Sequence, residues 1–265
     1  MAPLSPRSVR RRMALLFGLF LGAVAAAFFH APLPQDPAYH AFADGRTLLG
    51  VPDFWNVATN LAFLPVGLWG LWALGRTPGP RFHDPLEARP YRVVSGGALL
   101  VAVGSGFYHL APDNLRLVWD RLPMTVVFMA LLSAVVAERI NVRSGAALLP
   151  PLLVLGVASV LVWRQGELAG HGDLRLYALV QFFPMVAIPL IVLMFPARYD
   201  LSGGFGWMVA WYALAKVLEH WDAAVFRFTG GLMSGHALKH LAAAAALASL
   251  IPMLAHRRPL EPGLE

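Results

Sequence analysis

Stretches of 17 to 22 mostly apolar residues recur along this chain, separated by short polar segments. They fall at 13–29, 54–74, 93–111, 121–138, 146–163, 174–195, 205–221 and 234–255. Each is about long enough, as a helix, to cross the ~30 Å hydrocarbon layer of a bilayer. The pattern has no alternating apolar–polar strands and no long polar block that could fold as a separate soluble domain. It predicts an all-α integral membrane protein.

The informative positions are the polar ones inside the apolar runs, because an ionisable group there is costly and defaults to a functional reading. Ser234-Gly235-His236-Ala237-Leu238-Lys239-His240 opens the last run. Histidines four residues apart share one helix face, a spacing that suits two ligands of one Zn²⁺. In the His-Glu-x-x-His motif of zinc proteases the residue after the first histidine is the general base. Here it is Ala237, so a base has to come from elsewhere. Ser105 and His109 are spaced one turn apart at the end of the third run, and Asp120 follows eleven residues later. With alternating helix directions, His109, Asp120 and His236 fall at one membrane depth. His109, His236 and His240 then form a three-histidine set, the ligand count of a catalytic zinc with an open fourth position. Asp120 is placed to move a proton and Ser105 to hydrogen-bond a carbonyl oxygen as it becomes anionic. The competing reading makes the histidines interhelical hydrogen-bond partners.

Composition narrows the field. Of the 265 residues 58% are hydrophobic and the mean hydropathy is +0.60, too apolar for a soluble domain. There is no cysteine, so a metal must use His, Asp or Glu. The net charge of +6 is almost all arginine and reads as membrane topology, with no nucleic-acid partner. Thirteen arginines, including Arg7, Arg10, Arg11, Arg12, Arg81, Arg139, Arg198 and Arg257, lie on one side and six on the other. The positive-inside rule then puts both termini in the cytoplasm and the histidines towards the outer face. Arg7 to Phe29 resembles a signal peptide without a clear cleavage site, which predicts a retained first helix.

Other polar residues have plainer expectations. Asn56 and Asn60 predict interhelical hydrogen bonds, Pro184 and Pro189 a kink, and Trp119 a place in the interfacial belt. Lys216, Glu219 and Asp222 form a stripe at helical spacing that predicts a Lys–Glu pair closing the bundle, with Lys239 a second partner for Glu219. His30, His40, His83, His171 and His256 are expected to be solvated.

Four stretches resemble the alkaline ceramidases, members of the seven-helix hydrolase superfamily that includes the adiponectin receptors. They are Asp53-Phe54-Trp55-Asn56-Val57-Ala58-Thr59-Asn60, Ser105-Gly106-Phe107-Tyr108-His109, Trp119-Asp120-Arg121-Leu122-Pro123-Met124 and His236-x-x-x-His240, in family order over roughly residues 44 to 255. The resemblance implies a basic N-terminus with an additional transmembrane helix (1–30), an outward-facing acidic loop (31–53), a seven-helix ceramidase-like domain (54–256) and a cytoplasmic tail (257–265). It implies zinc on His109, His236 and His240, with Ser105 and Asp120 as catalytic residues. The implied reaction is zinc-dependent hydrolysis of a ceramide-type amide to fatty acid and sphingoid base, with a membrane lipid as substrate and a bacterial inner membrane as setting. The family's calcium site is matched only by Asp53, with Asp44 as its one companion, which falls short of the six or more oxygens calcium takes. Two alternatives stay open: a non-enzymatic lipid receptor or scaffold with a structural zinc, for which Asp120 would be the fourth ligand, and a glycerolipid esterase using the same site.

Overall fold

A computed structural model of the chain describes residues 4–76 and 82–260. Arg81 and the end of the tail, 261–265, lie outside the described residues. The described chain is all-helical, with no strand and two isolated bridges.

Eight long helices form where the eight apolar runs predict them: α1 (Pro6–Phe29), α2 (Phe54–Gly75), α3 (Ala88–His109), α4 (Asn114–Arg139), α5 (Val142–Leu168), α6 (Arg175–Met194), α7 (Gly203–His220) and α8 (Gly235–His256). A short helix, Asp222–Phe228, joins α7 to α8. Several helices begin earlier than the apolar runs because their first turns are polar and capped. Ser5, Asp113, Asn141 and Ser234 each accept a backbone N–H from the first turn of α1, α4, α5 and α8. Asp120 therefore sits two turns inside α4, where the sequence placed it at the very start.

Among the described residues six helices are long and apolar enough to cross a membrane; α3 and α7 are not in that set. Both carry the residues that make them different. In α3 these are Ser95, Gly96, Gly97, Gly104, Ser105, Gly106 and His109, and in α7 Lys216, Glu219 and His220.

Helix α4 is the hub. Of its most apolar window 78% is buried, against 0% for α1. It packs on α3, α5 and α6, while α2, α3, α4, α6, α7 and α8 enclose a central space. Helix α5 lies outside this ring on α4, and α1 lies outside it on α6, where Phe20 meets Phe183 edge-on at 5.4 Å. Gly104 allows α3 to touch α4, since a Cβ there would strike the Trp119 carbonyl oxygen. Gly106 has open space around its Cβ position and makes no such approach.

At one end of the bundle, charges are buried in matched sets. Glu138 accepts from Tyr91 Oη at 2.6 Å and pairs with Arg257, with Arg139 4.0 Å away. Glu87 accepts from Tyr199 Oη at 2.5 Å and faces Arg198 at 3.5 Å. Arg139 and Arg257, which read from the sequence as topology charges, are buried in this network, and the Arg257 guanidinium lies 3.8 Å from the Tyr199 ring centroid.

Candidate metal centre

The other end of the bundle gathers the histidines. α3 ends at His109, α4 begins five residues on, and α8 begins at Gly235. Two features seat the first turn of α8. Asp222 accepts the His236 backbone N–H at 2.7 Å, and a Cβ at position 235 would strike the Leu218 carbonyl oxygen of α7. His236 and His240 then point inward towards His109.

His109, His236 and His240 are all buried, with ring centroids 5.0 to 5.1 Å apart. One nitrogen from each can be chosen so that all three lie within 4.8 Å of one another. Among the described residues this is the group of histidines and carboxylates with metal-binding geometry, and it has three members; Asp120 does not join it.

The hydrogen bonds test whether a cation fits. Thr59 Oγ1 donates its single proton to the Trp55 carbonyl at 2.6 Å. The same oxygen lies 3.0 Å from His240 Nδ1 and must therefore accept from it. That assigns the Nδ1–H tautomer to His240 and leaves the Nε2 lone pair free, the arrangement that supports a metal-ligating histidine. His109 Nε2 and His236 Nε2 face each other at 3.4 Å, and His109 Nδ1 has no partner. Unshared nitrogens held together in a buried site suit a borderline-soft cation such as Zn²⁺. Thr59 lies within the Asp53–Asn60 stretch, and nothing in the sequence assigns it a role. Its only signal was a hydroxyl three residues beyond Asn56 in an otherwise apolar helix.

Ser105, Asp120 and His240 open onto one cavity of ≈ 250 Å³ in the centre of the ring. Its lining changes character with depth. On α4 it runs from Asp120 through Met124 to Leu131, on α7 from Glu219 and Lys216 to Met208, and on α8 from His240 to Leu247. Each of these three walls is polar beside the histidines and apolar about 10 to 16 Å below, at 1.5 Å per helical residue. Ser105 lies beside the Asp120 carboxylate. Pro184 and Pro189 line the cavity from α6.

The segment 31–53 covers the site from the bundle's end. Phe42 lies over both His236 and His109, at centroid distances of 4.1 and 4.8 Å. Ala43 N donates to Asp222 at 2.8 Å, and Gln35 accepts from Arg121 at 2.6 Å. His40 is part-buried, bonded to Tyr108 Oη at 2.8 Å and Asn114 Oδ1 at 2.9 Å, where solvation was expected. His30, His83, His171 and His256 are exposed, as is Trp119.

The remaining expectations divide. Lys216 and Lys239 both pair with Glu219, the second at 2.7 Å across α7 and α8. Asn56 and Asn60 hydrogen-bond to backbone carbonyls through Nδ2, so neither amide bridges two long helices. Asp44 and Asp53 come close enough to interact, but both Asp44 oxygens are engaged by Arg46 at 2.7 Å. Arg46 thus takes the carboxylate that calcium would need and holds the Asp44 carboxyl below its usual range.

Among known proteins, no family model and no curated protein matches the chain. The likeness to the alkaline ceramidases therefore rests on the four short stretches and their order.

Proposed function

We propose that this protein is an integral-membrane, zinc-dependent lipid amide hydrolase of the alkaline ceramidase type. The observation that carries the reading is the three-membered histidine group beside Ser105 and Asp120, at the polar end of a cavity whose far walls are apolar. A structural zinc calls for four protein ligands. The group's closing at three favours a catalytic centre over a scaffold.

In this reading α2 to α8 form the seven-helix core and α1 is the addition. α3, about 33 Å long, and α7, about 27 Å, cross the membrane with the rest. Both termini lie in the cytoplasm and the histidines face outward.

His109, His236 and His240 would hold the zinc, with Thr59 fixing the His240 ring. Bound there, zinc supplies Lewis acidity, polarising a carbonyl and acidifying water. The apolar depth of the cavity takes the acyl chain and brings the amide carbonyl level with Ser105. Asp120 takes the proton from the attacking water and returns it to the leaving amine, one carboxylate serving both steps. Ser105 donates its hydroxyl hydrogen to the carbonyl oxygen as charge develops on it. Phe42 and the segment around it keep bulk water off the reacting groups.

Metal analysis of the purified protein, paired with turnover of a fluorescent N-acyl lipid, tests this. The expected result is one zinc per chain and turnover that chelation abolishes and zinc restores. A His109→Ala, His236→Ala variant that stays folded and still cleaves the lipid at the full rate would overturn it.

A further inference from the structure

We infer that Lys216, Glu219 and Lys239 form a subsite for an acidic group on the amine half of the substrate, which makes the preferred substrate an N-acyl amino acid. The inference rests on the hydrolase reading above and goes beyond it.

With Asp120, these three are the Asp, Glu, Lys and Arg residues that line the cavity among the described residues. They sit on its polar wall, level with His240 and away from the apolar depth that suits the acyl chain. One carboxylate, Glu219, hydrogen-bonds both ammonium groups, and Asp120 is the fourth charge of the lining. Glu219 takes one N–H from each lysine, and neither ammonium has another hydrogen-bond partner among the described residues. Each therefore keeps two donors for a ligand.

A clamp between helices explains only part of this arrangement. Lys239 and Glu219 join α8 to α7 and would do so alone. Lys216 is three residues from Glu219 on the same helix, so it adds nothing to the bridge between helices. It places a second cation in a low-dielectric wall, where uncompensated charge is costly. Its ammonium also lies 5.7 Å from the Phe182 ring of α6, which holds it at the seam between α6 and α7. A carboxylate arriving on the amine half of the substrate would take the lysine donors that Glu219 leaves free.

The test compares purified protein acting on N-oleoylglycine and on N-oleoylethanolamine, matched in chain and differing in the acid, in neutral detergent micelles. The expected wild-type kcat/KM is about tenfold or more higher for the acid, the scale of one charge-assisted hydrogen bond. In Lys216→Met that ratio falls towards one, and in Lys216→Arg it is largely kept. Wild-type protein that cleaves both equally, or favours the neutral lipid, overturns the subsite and leaves the hydrolase standing. If it cleaves neither, the hydrolase reading fails and thermal stabilisation decides the subsite. Stabilisation by N-oleoylglycine that N-oleoylethanolamine does not give, and that Lys216→Met loses, supports it; equal or absent stabilisation sinks it.

Discussion

The two ends of this bundle handle buried polar groups in opposite ways. At the end holding Glu87 and Glu138, each carboxylate meets a tyrosine hydroxyl and at least one arginine, so opposite charges are paired. At the histidine end, His109 Nδ1, Asn56 Oδ1, Asn60 Oδ1 and two nitrogens of Arg121 are buried without hydrogen-bond partners. Buried polar atoms are normally satisfied, and each exception asks for a reason. At the carboxylate end the unbonded atoms, Glu87 Oε1 and Arg139 Nε, still face an opposite charge, Arg198 at 3.5 Å and Glu138 at 4.0 Å. The unmatched end brings together nitrogens that a cation would satisfy, beside a cavity that a lipid chain would fill. The first end pairs opposite charges, and the second gathers histidine nitrogens that have no counter-ion.

If that division holds, Asp120→Asn should produce the largest effect, and on activity alone. Losing a proton-transfer group costs roughly 10²- to 10⁴-fold in rate. The amide keeps the shape of the carboxylate, so the variant should bind zinc and melt close to the wild type. Turnover and melting curves on the same preparation check this. Near-normal turnover would remove Asp120 from the chemistry.

Glu138→Ala probes the opposite end and should reverse the pattern. It leaves the buried Arg257 and the Tyr91 hydroxyl without their carboxylate. Removing one partner of a buried pair costs about 3–5 kcal/mol. Unfolding in mild detergent should shift accordingly, while the zinc content of the surviving folded protein stays at one per chain. A variant as stable as the wild type would show that the network at that end is not what holds the bundle.

Thr59→Val sharpens the comparison inside the site. It removes the acceptor that fixes the His240 tautomer and keeps the branched shape. Loss of such a supporting hydrogen bond costs about 10- to 100-fold in metal affinity. Competition with a zinc chelator reads this directly. An unchanged affinity would mean that His240 is oriented by packing alone.

Much of this arrangement was legible in the chain. The eight helices follow from the apolar runs, and the three histidines from their spacing and shared depth. What escaped was set by contacts between segments distant in sequence. Thr59 lies 181 residues from His240, and nothing local marks it as that histidine's support. His40 and Phe42 sit in a segment that reads as a solvated loop, yet it folds over α3 and α8 once Asp222 and Arg121 anchor it. Arg139 and Arg257 read as topology charges because a positive residue after an apolar run looks the same in water as in a buried network.

The smallest expected effect concerns the covering segment and comes from pH. Arg46 hydrogen-bonds the buried Asp44 carboxylate through both oxygens, and that contact lowers the Asp44 pKa below 3.8 in the folded protein, more than burial raises it. A carboxyl with a depressed folded-state pKa stabilises the fold at pH values above its unfolded pKa. That contribution is lost as the pH falls through the folded value. Arg46 also donates to the Leu232 carbonyl at 2.9 Å, so the pair ties the covering segment to the approach to α8. Lowering the pH from 7 through 4 towards 3 should therefore loosen residues 42–46 before the bundle opens. Hydrogen exchange at those amides should rise in the wild type and change little in Asp44→Asn, which lacks the titrating group. Equal acid sensitivity in the two proteins would mean that the cover is held by Phe42 packing on the histidines and by Asp222, with Arg46 a bystander.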